Sequence, residues 1–363
     1  MKPYEFISNI IEDIVSEYLE SFCYCYFQDH IRYPSTLMTR HKQNIDILGY
    51  DPAQDNAAIP DPNSSPTYYK REWIDTLEYT SSSFMRSFNV NLYEHCWEPV
   101  NTVLDRDFWN TIKKGVVLHS EHNSTEIKIL EEQGFNSIHW FAHAYLCSEF
   151  YFKHYYKLEI VQNYVSRPIK YPWICVNRLL RQYRTDFLEI LDLDRGCYSL
   201  LNPDPNGLIY NGPVAAHSFD GHTNSSAEIC VTKLTPWNTS FLHVVNETVW
   251  QDKIHFTEKI FKPVVLHQPF VVLQAPGSLA YLRSYGFKTF GDWWDESYDT
   301  IEDPTARMQA IADIVNAIGN KSIEELETMR MEMASVLEHN FRHFYENIPA
   351  ICLDELRKGI ATL

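Results

Sequence analysis

Apolar residues recur every three or four positions at the start of the chain, at Ile7, Ile10, Ile11, Ile14, Val15, Tyr18, Leu19 and Phe22, a spacing that predicts an amphipathic helix. The stretch from Tyr50 to Pro66, dense in Pro, Asp, Asn and Ser, predicts a loop. The pattern then changes. Gly115 to His119 is a short apolar run, Ser120 to Ser124 is polar, and the residues from Thr125 to Leu130 return to helical spacing. Strand, turn and helix in that order build parallel sheets, whose ligands gather beyond the carboxyl ends of the strands, where Ser120 and Glu121 fall. A second such unit runs from Pro172 to Val176, turns at Asn177 and continues as a helix from about Leu179 to Leu191. A third has a strand over Phe241 to Val245, a helix from about Thr257 to His267, and a strand from Pro269 to Leu273 ending before Pro276-Gly277. Two helices close the chain, one from about Pro304 to Ile318 and one from Ser322 onward, where Glu325 completes a capping box.

This alternation predicts an α/β protein, and its 363 residues predict two domains. Residues 1–165 form the first and residues 166–335 a doubly wound second. Helices over 336–363 return toward the first. A composition that is 45% hydrophobic and 14% aromatic suits large cores. The 31 basic and 48 acidic side chains give a formal charge of −17, which argues against a nucleic-acid partner and requires any bound anion to be gripped locally. The eight cysteines form no CxxC pair and sit mostly in apolar runs, so they read as reduced packing residues. The first residues interrupt their apolar positions with Glu and Asp, unlike a signal peptide or a membrane span, which predicts a cytoplasmic protein. Without secretion, the Asn-x-Ser/Thr triplets at Asn123, Asn238 and Asn246 have no glycosylation consequence.

The densest chemical signal is Val244-Val245-Asn246-Glu247-Thr248 followed by Thr257-Glu258-Lys259-Ile260-Phe261-Lys262-Pro263. A carboxylate ends a strand and a Thr-Glu-Lys triplet opens a helix. The free N–H groups and positive end of that helix, with Lys259, make a diphosphate seat, and Glu258 is placed to accept from ribose hydroxyls. The plainer alternative is an N-cap at Thr257, a favourable first-turn acid and a solvated lysine. Arg178, Arg181 and Arg184 are spaced to share one helix face, where a guanidinium fork suits phosphate oxygens, with Arg184 first and Arg178 second; a solvated basic stripe is the alternative.

Over roughly residues 241 to 277 the chain resembles the donor-binding motif of the α-1,3-fucosyltransferases, with its strand-end Glu and Asn, its Thr-Glu-Lys helix start and its following apolar strand. Asn177 followed by Arg184 looks like that family's second element, which sets an Arg against the nucleotide diphosphate. The FTEKxFKP stretch is also similar to phage and marine-bacterial glycosyltransferase-like sequences. Asn246 precedes Glu247 where the family has the reverse order, and His255 stands where it usually has a tyrosine. The resemblance implies two Rossmann-like domains facing across a cleft, of the GT-B type. It also implies a nucleotide-diphosphate sugar, a GDP-sugar favoured, as co-substrate, transferred to a glycan or other hydroxyl acceptor. Asn177, Arg178, Arg184, Asn246, His255, Thr257, Glu258 and Lys259 are the donor-site candidates, with Glu247 beside them as a catalytic carboxylate.

Inverting transfer needs a group to take the acceptor's proton. Glu121, between His119 and His122, is the leading candidate, and a helix-capping turn is the alternative. His119, His122, His139 and His143 are candidates to line the acceptor groove, although a buried aromatic cluster also explains His139 and His143. Asp105-x-Asp107 and Asp192-x-Asp194 have a metal-binding spelling, but neither follows an apolar strand, so Arg184 and Lys259 are expected to supply the positive charge with no metal and no other cofactor. Two further readings remain open: a phage-type transferase that modifies a DNA base, and a non-catalytic nucleotide-sugar or carbohydrate-binding protein.

Overall fold

The computed structural model describes residues 116–132, 136–155, 164–204, 207–217, 235–251 and 253–362, the strand segments 21–26, 37–41 and 44–48, and the single positions Ile10 and Ile14. The chain divides into two compact units, one of Met1–Ser120, Thr125–Ala142 and Asp354–Leu363, the other of Glu121–Ser124 and His143–Leu353. The Tyr50 to Pro66 loop lies outside the described residues, as do Asp105 and Asp107.

The first unit is built on a five-stranded sheet of β1 (Ser21–Tyr26), β2 (Leu37–His41), β3 (Asn44–Leu48), β4 (Val116–His119) and β5 (Asn136–His139), in the order β3-β2-β1-β4-β5. β4 is parallel to both of its neighbours, whereas β2 is antiparallel to both β1 and β3. This sheet is therefore mixed. The opening periodicity is realised at Ile10 and Ile14, which are helical, but Phe22 belongs to β1. The aromatic and cysteine run Phe22 to Tyr26 favours a pleated strand over one more helical turn. Helix α1 (Thr125–Glu132) links β4 to β5.

The second unit has a four-stranded, wholly parallel sheet: β6 (Tyr171–Asn177), β7 (Cys197–Leu200), β8 (Ser240–Asn246) and β9 (Phe270–Leu273), in the order β7-β6-β8-β9. Every residue of β8 and β9 is buried, so their apolar runs are those of strands covered on both sides. Trp173 is fully buried on β6, and a Cβ at Gly196 would lie 2.2 Å from its ring, so only glycine fits there. The helices are α3 (Gln182–Glu189), α4 (Thr235–Asn238), α5 (Glu258–Val265), α6 (Ser278–Ser284) and α7 (Pro304–Gly319), after α2 (Ala142–Leu146) and its π-helical continuation Cys147–Tyr155. The segment after Ser322 is three helices rather than one: α8 (Ile323–Glu332), α9 (Ala334–Glu346) and α10 (Ile348–Ala361). Ser322 and Glu325 form the expected capping box, with bonds of 2.7 and 3.2 Å. No helix among the described residues is long and apolar enough to cross a membrane. Cys175 and Cys197 are buried free thiols, and Cys147 and Cys352 are buried as well.

One core residue carries a pH dependence. Burial, and then the charge of Lys262, lowers the His243 imidazole to about 3. The unfolded chain, titrating near 6.5, therefore binds a proton that the native state refuses. His243 contributes its full stability above that value and loses it as pH falls toward 3, with a slope of about 1.4 kcal/mol per pH unit. Urea denaturation at pH 6 and pH 5 should reveal this loss, and His243→Gln should make it shallower without removing it, because His267, lowered by burial to about 4, adds a dependence of the same sign; an unchanged slope in that variant would place the dependence elsewhere.

Candidate functional site

The order β7-β6-β8-β9 puts the direction change of the winding between β6 and β8, and ligands of open parallel sheets bind in the crevice outside the strand ends at such a point. Both strands end there in asparagine. Asn246 Nδ2 donates to Asn177 Oδ1 at 2.7 Å, and both side chains are buried. The neighbouring Cys175 thiol is pushed up to about 11, chiefly by burial, so it offers no thiolate nucleophile at neutral pH.

Arg184 reaches this edge from α3. Its guanidinium donates to the carbonyls of Asn246 at 3.3 Å, Glu247 at 3.0 Å and Leu179 at 3.3 Å, and to the Tyr183 hydroxyl at 3.2 Å. Tyr183 in turn donates to the Glu247 carbonyl. Arg184 is buried and holds the end of β8 in place. The expected three-arginine helix face does not form. α3 begins at Gln182 with Arg181 as its extended N-cap, so Arg178 and Arg181 precede the helix. The Asp204 carboxylate accepts the Leu180 N–H at 3.0 Å and holds that segment in a loop, which cancels the helical spacing.

The connection after β8 brings a second cation to the same strand end. The Glu247 carboxylate, fully buried, accepts from the Thr257 N–H at 3.2 Å and the Thr257 hydroxyl at 2.6 Å. Thr257 caps α5, its hydroxyl taking the Lys259 N–H at 3.3 Å. Lys259 Nζ donates to the hydroxyls of Thr257 at 2.9 Å and Thr248 at 3.1 Å, with Glu258 at 3.4 Å and Glu247 at 3.8 Å. Arg184 and Lys259 thus both close on residues 246–248. The Lys259 side chain remains 17% exposed, against 5% for Glu258 and none for Glu247, so the ammonium is the group of this set that reaches solvent most. This arrangement offers one accessible cation, a helix start and acidic acceptors for hydroxyl groups.

The start of α6 contrasts with that of α5. Gly277 adopts a left-handed φ of 80° before it, but the Asp299 carboxylate already accepts from Leu279 N at 2.8 Å, Ala280 N at 2.9 Å and Ser278 Oγ at 3.2 Å. A carboxylate of the chain fills the place an external anion would take.

The remaining candidates fall into separate clusters. Glu121 is buried, accepting from Ser124 Oγ at 2.6 Å and pairing with Lys253 Nζ at 2.6 Å. His122 pairs its backbone with Ile254 through bonds of 2.8 and 2.9 Å and stacks its ring on Tyr281 at 4.5 Å. These contacts fasten residues 121–124 to the loop leading into α5. His143 and His255, both buried, meet edge to face at 5.0 Å. In the first unit, His119 and His139 meet edge to face at 5.5 Å. The Glu355 carboxylate contacts His139 Nδ1 at 3.0 Å and accepts the Phe141 N–H at 2.7 Å. Asp192 precedes the single turn Leu193–Arg195 and Asp194 lies within it, and no group of three or more His, Cys, Asp or Glu side chains among the described residues is placed to hold a metal ion.

Sequence reasoning missed Lys253, Tyr183, Asp299 and Glu355. Glu355 stands 216 residues from His139, and nothing local marks it. Asp299 meets the start of α6 from the turn Ser297–Thr300, 20 residues beyond Leu279, so no local pattern marks it either. No protein-family model matches the chain, and no curated protein or solved structure does so either.

Proposed function

We propose that this protein is a glycosyltransferase of the two-domain GT-B type. It moves a sugar from a nucleotide-diphosphate sugar, a GDP-sugar favoured, to a hydroxyl acceptor such as a glycan, with inversion and without a metal. The observation that supports this most is the convergence of Arg184 and Lys259 on residues 246–248, beside the winding switch of a parallel sheet. Lys259 contacts the diphosphate, the α5 start adds its positive end, and Arg184 fixes the strand end and adds its charge nearby. Glu258 accepts from ribose hydroxyls. The acceptor oxygen forms its bond to the anomeric carbon as the bond from that carbon to the diphosphate oxygen breaks, and Lys259 stabilises the charge that develops there.

The acceptor's proton goes to a base as that bond forms. Glu121 is the candidate for that base, its carboxylate held in place by Lys253 and Ser124. Incubation with a panel of nucleotide sugars tests the reaction. Release of nucleoside diphosphate, faster with an acceptor present and undiminished by excess chelator, is the expected result. A panel that leaves every nucleotide sugar intact, with water as the only other acceptor, counts against a transferase.

A further inference from the structure

At the opposite edge of the second unit's sheet, where β6 and β9 begin, two arginines are buried side by side. Arg167, just before β6, donates to Asn238 Oδ1 at 2.9 Å and to the carbonyls of Leu266 and His267 at the end of α5. Arg330, on α8, donates to the Arg167 carbonyl at 2.6 Å. Arg167 is 9% exposed, and Arg330 and His267 are each 4% exposed. Buried charges are ordinarily paired, because an uncompensated ion loses its hydration. Neither guanidinium has an ion-pair partner within 4 Å among the described residues; the charge of Arg330 opposes that of Arg167, and Glu327 is the acid that favours the charge of Arg330. Both lose part of their proton affinity through burial, Arg167 falling to about 10.

Three nitrogens in this cluster are buried and have no hydrogen-bond partner: Arg167 Nε, Arg330 Nε and His267 Nδ1. Carbonyl clamping explains the terminal guanidinium nitrogens of Arg167 and leaves these three unexplained. Of the acids nearby, Glu338 holds Arg342 at 2.6 Å and reaches the other ring nitrogen of His267 at 3.4 Å, and neither oxygen of it pairs with Arg167 or Arg330. Tyr164 stacks on His267 at 4.1 Å and closes that side, its hydroxyl donating to the Ala334 carbonyl at 3.1 Å. Burial lowers the His267 ring to about 4, so it is neutral and its proton sits on the Nε2 that faces Glu338; two desolvated guanidinium N–H donors and an Nδ1 that can accept from a P–OH suit a protonated phosphate.

We infer that Arg167, Arg330 and His267 form an anion site for inorganic phosphate, separate from the diphosphate seat at the carboxyl edge of the same sheet. The site stabilises the fold when filled, and it does not depend on the transferase reading. The test is thermal unfolding of the full chain against inorganic phosphate, with chloride at equal ionic strength as the baseline. A saturable upward shift, about 5 °C at a hundredfold excess over Kd, is expected. Arg330→Met should abolish the shift, Lys259→Ala should retain it, and Arg330→Lys should weaken phosphate about tenfold, since an ammonium lacks the Nε–H geometry. Should Arg330→Met fail to fold, Arg330→Lys and Arg167→Lys make the same comparison. No saturable shift in the unmodified chain, a shift that survives loss of the Arg330 guanidinium, or one that disappears in Lys259→Ala would each overturn the inference.

Discussion

Replacing Lys253 with Met should cost about 3 to 5 kcal/mol of stability, the range expected when one partner of a buried ion pair is removed. The Lys253 side chain is 6% exposed and that of Glu121 is fully buried, with 2.6 Å between ammonium and carboxylate. Without the ammonium, Glu121 keeps a charge that water cannot reach. Glu121→Gln in the same chain removes that charge, so the double variant should recover most of the loss, and the non-additivity measures the pair itself. Urea denaturation of the four chains gives the answer. A Lys253→Met midpoint indistinguishable from the parent would mean that Glu121 is solvated in solution. The pair also ties residues 121–124 to the loop before α5, so the single variant should loosen that loop and weaken any ligand held at Thr257 to Lys259.

Lys259→Ala is expected to weaken nucleoside diphosphate binding by about 1.5 to 3 kcal/mol, or roughly ten- to a hundredfold, because one charge-assisted contact is lost. Stability should change far less than with Lys253. Glu247 retains two bonds from Thr257, and Lys259 lies partly in solvent. Arg184→Met gives the opposite balance. Its guanidinium satisfies three carbonyls, so the variant loses stability first and affinity as a consequence of a displaced strand end. The two cations are thus separable: one is read in affinity, the other in folding. Equal effects on both measurements in both variants would erase that distinction.

What the sequence made legible follows from the range of the forces involved. The apolar runs of β6, β8 and β9 and the Ser322 capping box are local patterns, and the structure realises them within a residue or two. Thr257 was legible as an N-cap for the same reason. The arginine stripe was misread because spacing alone cannot register the Asp204 carboxylate that holds residues 178–181 out of the helix. The antiparallel pairing of β1, β2 and β3 depends on contacts between strands, which periodicity does not encode. Glu121 was visible as a strand-end acid, but its environment was not, since Lys253 is 132 residues away. The burial of Arg167 and Arg330, 163 residues apart, was likewise beyond any local pattern.

The proposed donor site depends on a diphosphate resting against Lys259 at the end of β8. Calorimetric titration of the full chain with nucleoside diphosphates tests it most directly. Saturable binding at one site per chain, weakened at least tenfold by Lys259→Ala and unaffected by Arg330→Met, is the expected result. The absence of binding by every nucleoside diphosphate, or an affinity that Lys259→Ala leaves unchanged in a folded chain, would contradict it.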